Sequence, residues 1–289
     1  MPAYNAEKYI TDSITSVLKQ SFTLWELIVI DDGSTDKTAE IINSFLTDKR
    51  ITLIRQANKG VSAARNVGIK AAKGNFIAFL DADDAYLPEN LKAKYEAITA
   101  DASLDYVYSD IMVCDARLKD KFVERGVSSD KVCKSVLTRQ PEGIPGFSSN
   151  IIVKGATIKN KNIYFDTNLS NCADQYYKTL LVSECKGTYI PLPLAKYRNT
   201  PGSMSKKVFL LEHDELYILD RIKEKNIIPK GKERSQTFAK VYLMLCGSWY
   251  KDGGKTGRAV KFGFKAMASD SGTFFRLLKK GVASIFGNR

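Results

Sequence analysis

The sequence predicts an α/β domain, a mostly parallel sheet with helices on both faces, followed by a helical C-terminal appendage. Three observations predict it. Short apolar runs alternate with amphipathic stretches of about a dozen residues as far as residue 110, the pattern of strands joined by crossover helices. Acids stand at the ends of several of those runs. Beyond Ser205 every segment carries helical periodicity, and the charge becomes strongly positive.

Each element can be justified in order. Asn5 reads as an N-cap for "AEKYITDSITSVLKQ", in which Ile10, Ile14, Val17 and Leu18 fall at helical spacing. "WELIVIDD" is a buried strand ending in acid, and "TDKTAEIINSFL" is a helix with Ile41, Ile42 and Phe45 apolar. "ITLIRQ" is the next strand, and "VSAARNVGIKAAKG" is a helix closed by Gly74. "NFIAFLD", the helix begun by Pro88 in "PENLKAKYEAITA", and the strand "DYVYSD" complete the alternating part. On this reading Asp31, Asp32, Asp81, Asp83 and Asp110 all sit at strand C-termini, where ligands bind in sheets of this kind. "MPAYN" reads as a loop with no strand before it, so the first strand is expected to be missing or displaced. From Met112 to Thr200 the alternation stops: "GFSSNIIVKGATIKN" reads as helical, "FDTNLSNCADQYYKTLLVSE" as a loop entering a helix, and "GTYIPLPLAKYR" as extended.

The 289 residues carry a formal charge of +12, unevenly placed. Residues 1–205 hold 26 Lys and Arg against 24 acids, whereas residues 206–289 hold 18 against 8. An anionic partner is expected at the C-terminal segment. The five cysteines are scattered and form no C-x-x-C pair, which argues against a disulfide framework or a zinc site and for a reducing, cytoplasmic setting. No apolar stretch reaches spanning length, and the opening residues show no secretory signal.

Two short stretches carry the chemistry. In "IDDGSTD", Asp32 follows a strand and could accept hydrogen bonds from a nucleobase; the plainer alternative is a turn followed by a helix cap. In "LDADD", Asp81, Asp83 and Asp84 crowd behind a buried strand. Uncompensated charge there is costly, and a divalent cation whose shell is completed by substrate phosphates is the natural compensation. Arg65 intrudes on an otherwise small-residue helix face, either snorkelling to water or aimed at a phosphate or base.

Taken together, "MPAYNAEKYI", "LIVIDDGSTDKT", "NKGVSAARNVGIKAAKGNFIAFLDADD" and "YRNTPGSMS" resemble the family 2 glycosyltransferases of the Rossmann-like GT-A fold, in register from residue 1 to about 205. The resemblance implies inverting transfer of a sugar from a nucleoside diphosphate donor, most often UDP-linked, to a saccharide or lipid-linked acceptor. It implies a donor site at Pro2, Tyr4, Asp32, Arg65 and Asp81, with Asp83 holding Mn²⁺ or Mg²⁺. Asp174, in "SNCADQYYKTLL", matches the family's catalytic base, although Ala173 replaces the usual preceding Glu. The family's Tyr-Arg-x-His reads Tyr197-Arg198-Asn199-Thr200 here, with no imidazole. The implied organisation is a nucleotide-sugar half over 1–110, an acceptor and base half over 111–205, and a basic helical segment over 206–289.

"GKTGRAVKFGFKAMA" places Arg258, Lys261 and Lys265 on one helical face and Val260, Phe264 and Met267 on another. "TFFRLLKKGVASIF" repeats the arrangement with Phe274, Leu278, Val282 and Ile285 against Arg276, Lys279 and Lys280. Such helices either lie in an anionic membrane interface or pack on the rest of the protein with a solvated basic face. Nothing accompanies the charge that would read nucleic acid. The rival functions are a catalytically inactive relative that binds nucleotide or glycan only, and a nucleotidyltransferase. The second lacks a Gly-rich phosphate loop after an N-terminal strand. A dehydrogenase lacks G-x-G-x-x-G behind any strand.

Overall fold

The structure, a computed structural model, describes residues 1–140, 143–200 and 207–286, with the side chains of Phe147 and residues 280–286 not described. Two compact units result. One comprises Met1–Val136 and Glu142–Pro201; the other comprises Leu137–Pro141 and Gly202–Arg289.

The first unit holds two sheets. Strands β1 (Pro2–Ala3), β2 (Leu27–Asp31) and β3 (Ile51–Arg55) form a parallel sheet in the order β1-β2-β3. Strands β4 (Phe76–Ala78), β5 (Ala85–Tyr86), β6 (Tyr106–Cys114), β7 (Asp120–Glu124), β8 (Ile151–Lys154) and β9 (Gly187–Arg198) form a mixed sheet in the order β4-β8-β6-β9-β5, with β7 on β6. The parallel direction holds within the first sheet and between β6 and β9, while β4, β5, β7 and β8 pair antiparallel. The opening loop does contribute a strand, but one of only two residues. An apolar cavity of about 340 Å³ lies between β2 and β4, lined by Leu27, Ile28 and Ile30 on one side and by Phe76, Ile77 and Phe79 on the other.

Helix α1 (Ile10–Leu18) clamps the two sheets together. Its apolar face, Ile10, Ile14 and Val17, is buried with Val29, Leu80 and Ile111. Its buried polar residues fasten the segment after β4. Ser13 Oγ donates to the carbonyls of Ala82 (2.8 Å) and Asp84 (2.7 Å), Ser16 Oγ accepts from the Tyr86 amide, and Gln20, just past the helix, bonds Leu87 and Leu91. Asn5 is not the cap of this helix, which begins four residues beyond Ala6. Asn5 instead sits at φ 48° with its side chain accepting from the Thr35 amide at 2.8 Å. That conformation suits Asn because its short polar side chain bonds locally.

Helices α2 (Thr38–Ser44), α3 (Val61–Ala71) and α4 (Asn90–Ala100) follow their strands as the periodicity predicts. Two further expectations are corrected. "GFSSNIIVKGATIKN" is not one helix. A 3-10 turn at Phe147–Ser149 leads into strand β8, and only α6 (Gly155–Asn160) is helical; α5 (Ser129–Leu137) precedes it. Ile151, Ile152 and Val153 are β-branched and buried on both faces, which favours a central strand. Asp110 does not end its strand: β6 runs on to Cys114, and Asp110 accepts from the Gly126 amide (2.8 Å) and the Tyr189 hydroxyl where β9 skips register. Strand β7, fully exposed along an edge, carries no buried alternation that a sequence reading could detect. As expected, α7 (Ala173–Glu184) follows its loop and β9 is extended.

The second unit contains α8 (Val208–Glu224), α9 (Lys232–Lys251), α10 (Thr256–Ser269) and α11 (Ser271–Phe286). Residues 137–141 belong with it: Arg139 pairs with Glu215 at 2.8 Å, and Lys240 donates to the Thr138 carbonyl at 2.7 Å. The "PGSMS" part of the sequence signature lies outside the described residues.

Lys94 on α4 is fully buried, with Nζ donating to the Asn150 carbonyl (2.9 Å) and side-chain oxygen (3.1 Å). No carboxylate offsets its burial, which pushes its pKa down to about 7. Between that value and the ordinary 10.5, the unfolded chain holds a proton that the folded chain has released, so this residue makes stability rise with pH across the window. Relative to Lys94→Met, the wild-type protein should gain up to about 1.4 kcal/mol per pH unit from pH ~7 to ~9.5, read by urea unfolding at several pH values.

Candidate functional site

The site is built from loops at the strand ends, and the first two of them are zipped together. The Asn5 amide donates to Ser34 Oγ (3.0 Å), the Ala6 amide to Thr38 Oγ1 (2.7 Å), and the Lys37 amide to Glu7 (3.0 Å). Gly33 makes the turn at φ +79°, and a Cβ there would stand 2.9 Å from the Asn58 amide nitrogen, so both the angle and the space require glycine. Pro2 is held in β1 opposite Ile30, whereas the Tyr4 side chain beside it is half exposed.

Asp31 and Asp32 are both buried but do different work. Asp31 accepts from the Ser34 amide (3.0 Å) and pairs with Arg55 (3.0 Å). Asp32 accepts from Gln56 Nε2 (2.7 Å) and from the amides of Lys59 (2.9 Å) and Gly60 (2.8 Å), which fixes the loop between β3 and α3. A carboxylate offers about four acceptor positions, so Asp32 retains capacity for one more donor.

Helix α3 then delivers Arg65. Its guanidinium is buried, donates to Asp81 Oδ1 at 2.7 Å and lies 5.0 Å from the Phe165 ring, while Nε has no partner among the described residues. It does not snorkel outward. The neighbouring residues extend the same role: Asn66 exchanges hydrogen bonds with the Phe165 backbone (2.7 and 2.9 Å), and Ser62 Oγ donates to the Leu169 carbonyl (3.1 Å). The "SAARN" segment thus holds the loop that leads to Asp174. Sequence reasoning assigned no role to Ser62 or Asn66, and only their one-turn spacing around Arg65 hinted at one.

The three carboxylates after β4 part company. Asp81 takes the arginine. Asp84 is buried and structural: Ser149 Oγ donates to it at 2.5 Å and the Arg198 amide at 2.9 Å. Burial and then the charges of Asp83 and Asp81 push its pKa well up. Asp83 is left over. Among the described residues its carboxylate accepts no hydrogen bond from another residue, and burial followed by the Asp81 charge pushes its pKa up to about 6. A half-buried, unpaired carboxylate beside a second negative charge fits one position in a divalent cation's shell. No cluster of three or more His, Cys, Asp or Glu suited to a metal exists among the described residues. The fit is therefore to a cation whose other ligands come from substrate phosphates and water, not to an all-protein cage.

Arg198 ties this turn to the rest of the unit. It is buried and donates to the carbonyls of Asp83 (2.5 Å) and Ala116 (2.6 Å), pairs with Asp12 (2.9 Å), and lies 4.6 Å from the Tyr9 ring. The following Asn199 and Thr200 leave β9, and the Asn199 amide bonds the Cys114 carbonyl. Tyr197 is half exposed; burial and then the charges of Asp84, Asp83, Asp81 and Asp174 push its hydroxyl up to about 12. Asp174 is among those charges. It stands in the first turn of α7, partly exposed, with Oδ1 accepting from the Gln175 amide at 2.8 Å. Ala173 beside it is buried.

Residues 1–131 match the sequence family described as Glycosyl transferase family 2. Over 94 residues the chain is 50% identical to an uncharacterized glycosyltransferase of Haemophilus influenzae, covering 32% of this chain and 38% of that one. It is 36% identical over 140 residues to WfgD of Escherichia coli, a UDP-Glc:alpha-D-GlcNAc-diphosphoundecaprenol beta-1,3-glucosyltransferase (48% of this chain, 53% of that one). It is 32% identical over 185 residues to the poly(ribitol-phosphate) beta-N-acetylglucosaminyltransferase TarS of Staphylococcus aureus (61% and 30%). The chain thus spans about half the length of these relatives or less. The structure of S. aureus TarS 1–349 with UDP-GlcNAc superposes with a TM-score of 0.67 at 20% identity, covering 94% of this chain and 81% of that one. At that identity the likeness establishes a GT-A-like fold.

Ser149→Ala would leave Asp84 buried without its side-chain donor, and should cost about 1–3 kcal/mol in urea unfolding. Arg198→Gln should cost about 1–3 kcal/mol, because the carbonyls of Asp83 and Ala116 lose their donor.

Proposed function

From the premise that residues 1–131 are a family 2 glycosyltransferase domain, we propose that the chain is an inverting glycosyltransferase. In this reading it moves a sugar from a nucleoside diphosphate donor, a UDP-sugar, to a glycan or lipid-linked saccharide. The observation that carries the reading is Asp83, the one carboxylate of the acid cluster with no hydrogen-bonding partner among the described residues. The names of two relatives supply the donor class, since one uses UDP-Glc and the other was seen with UDP-GlcNAc.

Asp83 would hold Mn²⁺ or Mg²⁺, which when bound supplies Lewis-acid stabilisation of the departing diphosphate. Asp32 uses its spare acceptor position for the base, at a pocket edge formed by Pro2 and Tyr4. Arg65 keeps Asp81 oriented toward the ribose and offers its unpaired Nε to the nucleotide. Asp174 takes the proton of the acceptor hydroxyl as it attacks the anomeric carbon on the face opposite the leaving group; this single displacement inverts the configuration. Thr200 replaces the histidine of the family pattern, so the imidazole is not available to assist there. Acceptors of the kind that the relatives' names print would bring the protein to the cytoplasmic side of the cell envelope.

Two experiments test this. Calorimetry with UDP should show binding in Mn²⁺ that EDTA abolishes and that Asp83→Ala weakens by at least about tenfold. Binding unaffected by EDTA or by that substitution would remove Asp83 from the site. Asp174→Asn should then lower transfer of sugar from UDP-sugars by about 10²–10⁴ in kcat with donor affinity unchanged. Metal-dependent UDP binding with no turnover by the wild-type chain would instead identify an inactive, nucleotide-binding relative.

A further inference from the structure

Helix α10 has two apolar faces, and only one of them is used. Ala259, Phe262 and Ala266 are buried, and Phe262 stacks 6.2 Å from Tyr242 of α9. Val260, Phe264 and Met267, at i, i+4 and i+7, lie on the opposite side of the same helix and are exposed, at 52%, 63% and 37%. An ordinary surface helix is polar there. Helix α11 shows a second instance, with Phe275 and Leu278 exposed at i and i+3.

The charge around these residues decides what could cover them. From Gly253 to Arg289 the sequence carries eight Lys and Arg and a single acid, Asp270. Arg258 is committed inward, paired with Glu212 at 2.9 Å, and Lys265 lies over the rings of Tyr242 and Phe262. Lys261 on α10 is exposed beside the apolar stripe, as is Lys279 on α11, and neither makes an ion pair among the described residues. Asp270 is itself engaged, accepting from the Thr273 amide at 2.6 Å. A second copy presenting the same face would bring like charges together. A surface that is apolar within and negative at its boundary suits both features at once.

We propose that the outer face of α10, continued by Phe275 and Leu278 of α11, is a docking surface for an anionic lipid bilayer. Val260, Phe264 and Met267 enter the headgroup–acyl boundary, and Lys261 and Lys279 meet the lipid phosphates. This is the geometry of a helix lying in the plane of the interface, with affinity from buried apolar area plus attraction to anionic headgroups. The surface belongs to the helical unit and stands whether or not Asp174 and Asp83 act as proposed.

The test is co-sedimentation of the full chain with phosphatidylcholine vesicles, with and without about 30% phosphatidylglycerol, at about 50 and about 500 mM salt. Wild-type protein should bind the anionic vesicles at low salt, weaken at high salt, and ignore the neutral ones. Phe264→Ser with Val260→Ser should weaken that binding by at least about tenfold, and Lys261→Gln should weaken it less. The thermal unfolding midpoint should not change in either variant, because these side chains are already in water. Phe122→Ser, on exposed strand β7, is the control and should bind as wild type. Failure to bind anionic vesicles, equal binding to neutral ones, or indifference to Phe264→Ser would overturn the proposal. Concentration-dependent dimerisation abolished by Phe264→Ser, without vesicle binding, would assign the face to a second copy instead.

Discussion

Three carboxylates within four residues at the end of a buried strand are the constraint around which the first unit is arranged. Each is dealt with differently, and the differences come from distant parts of the chain. Asp81 is neutralised by Arg65 of α3. Asp84 is buried and satisfied by Ser149, which precedes β8, and by the Arg198 amide, at the end of β9. Only after those two are settled does Asp83 stand alone, held in place by its own backbone rather than by its side chain, since its carbonyl takes the Arg198 guanidinium. Function and folding thus share one turn: the groups that complete the fold are those that leave a single carboxylate uncommitted.

Arg198 is the most connected residue in this arrangement. It reaches Asp12 on α1, Ala116 after β6 and Asp83 in the acidic turn, so a single guanidinium bridges three segments far apart in sequence. Buried ion pairs contribute little net stability in general, but breaking one leaves an uncompensated charge. The same reasoning extends to Ser13, Ser16 and Gln20, polar groups on the buried side of α1 and just beyond it, whose bonds to residues 82–91 replace water with backbone partners.

Much of this was legible in the sequence, and the exceptions have physical reasons. The helices and the longer strands through α4 follow from apolar periodicity, and Asp32, Asp81 and Asp83 come from loops that the same alternation positions; Arg65 stands on α3, and Asp174 lies in the first turn of α7, beyond that alternation. Strand β8 was not legible because a run of three apolar residues before Lys154 has no period long enough to separate strand from helix. Asp110 was misplaced because a buried acid within a strand looks like a strand's end until its partners, Tyr189 and Gly126, arrive from 79 and 16 residues away. Asn5 looks like a helix cap in sequence, and only the opposing Ser34–Thr35 loop shows why it takes a left-handed turn. In α10 the periodicity revealed an apolar stripe but not a second one opposite it, since short alanines on the packed side score weakly beside Phe264.

The gap between β2 and β4 gives the first unit an unusual mechanical character. Asp31 and Asp32 ride on one sheet and the acidic turn follows the other, and among the described residues no strand-to-strand hydrogen bond joins the two sheets. The two halves are tied to each other by α1 and by the Arg65–Asp81 pair. Packed side chains allow small sliding shifts, whereas a hydrogen-bonded ladder must break bonds to slip. Shear would therefore act on the seam between the sheets before it reached the longer β6–β9 ladder. Asp32 stands on one side of that seam, and Asp81 and Asp83 stand on the other.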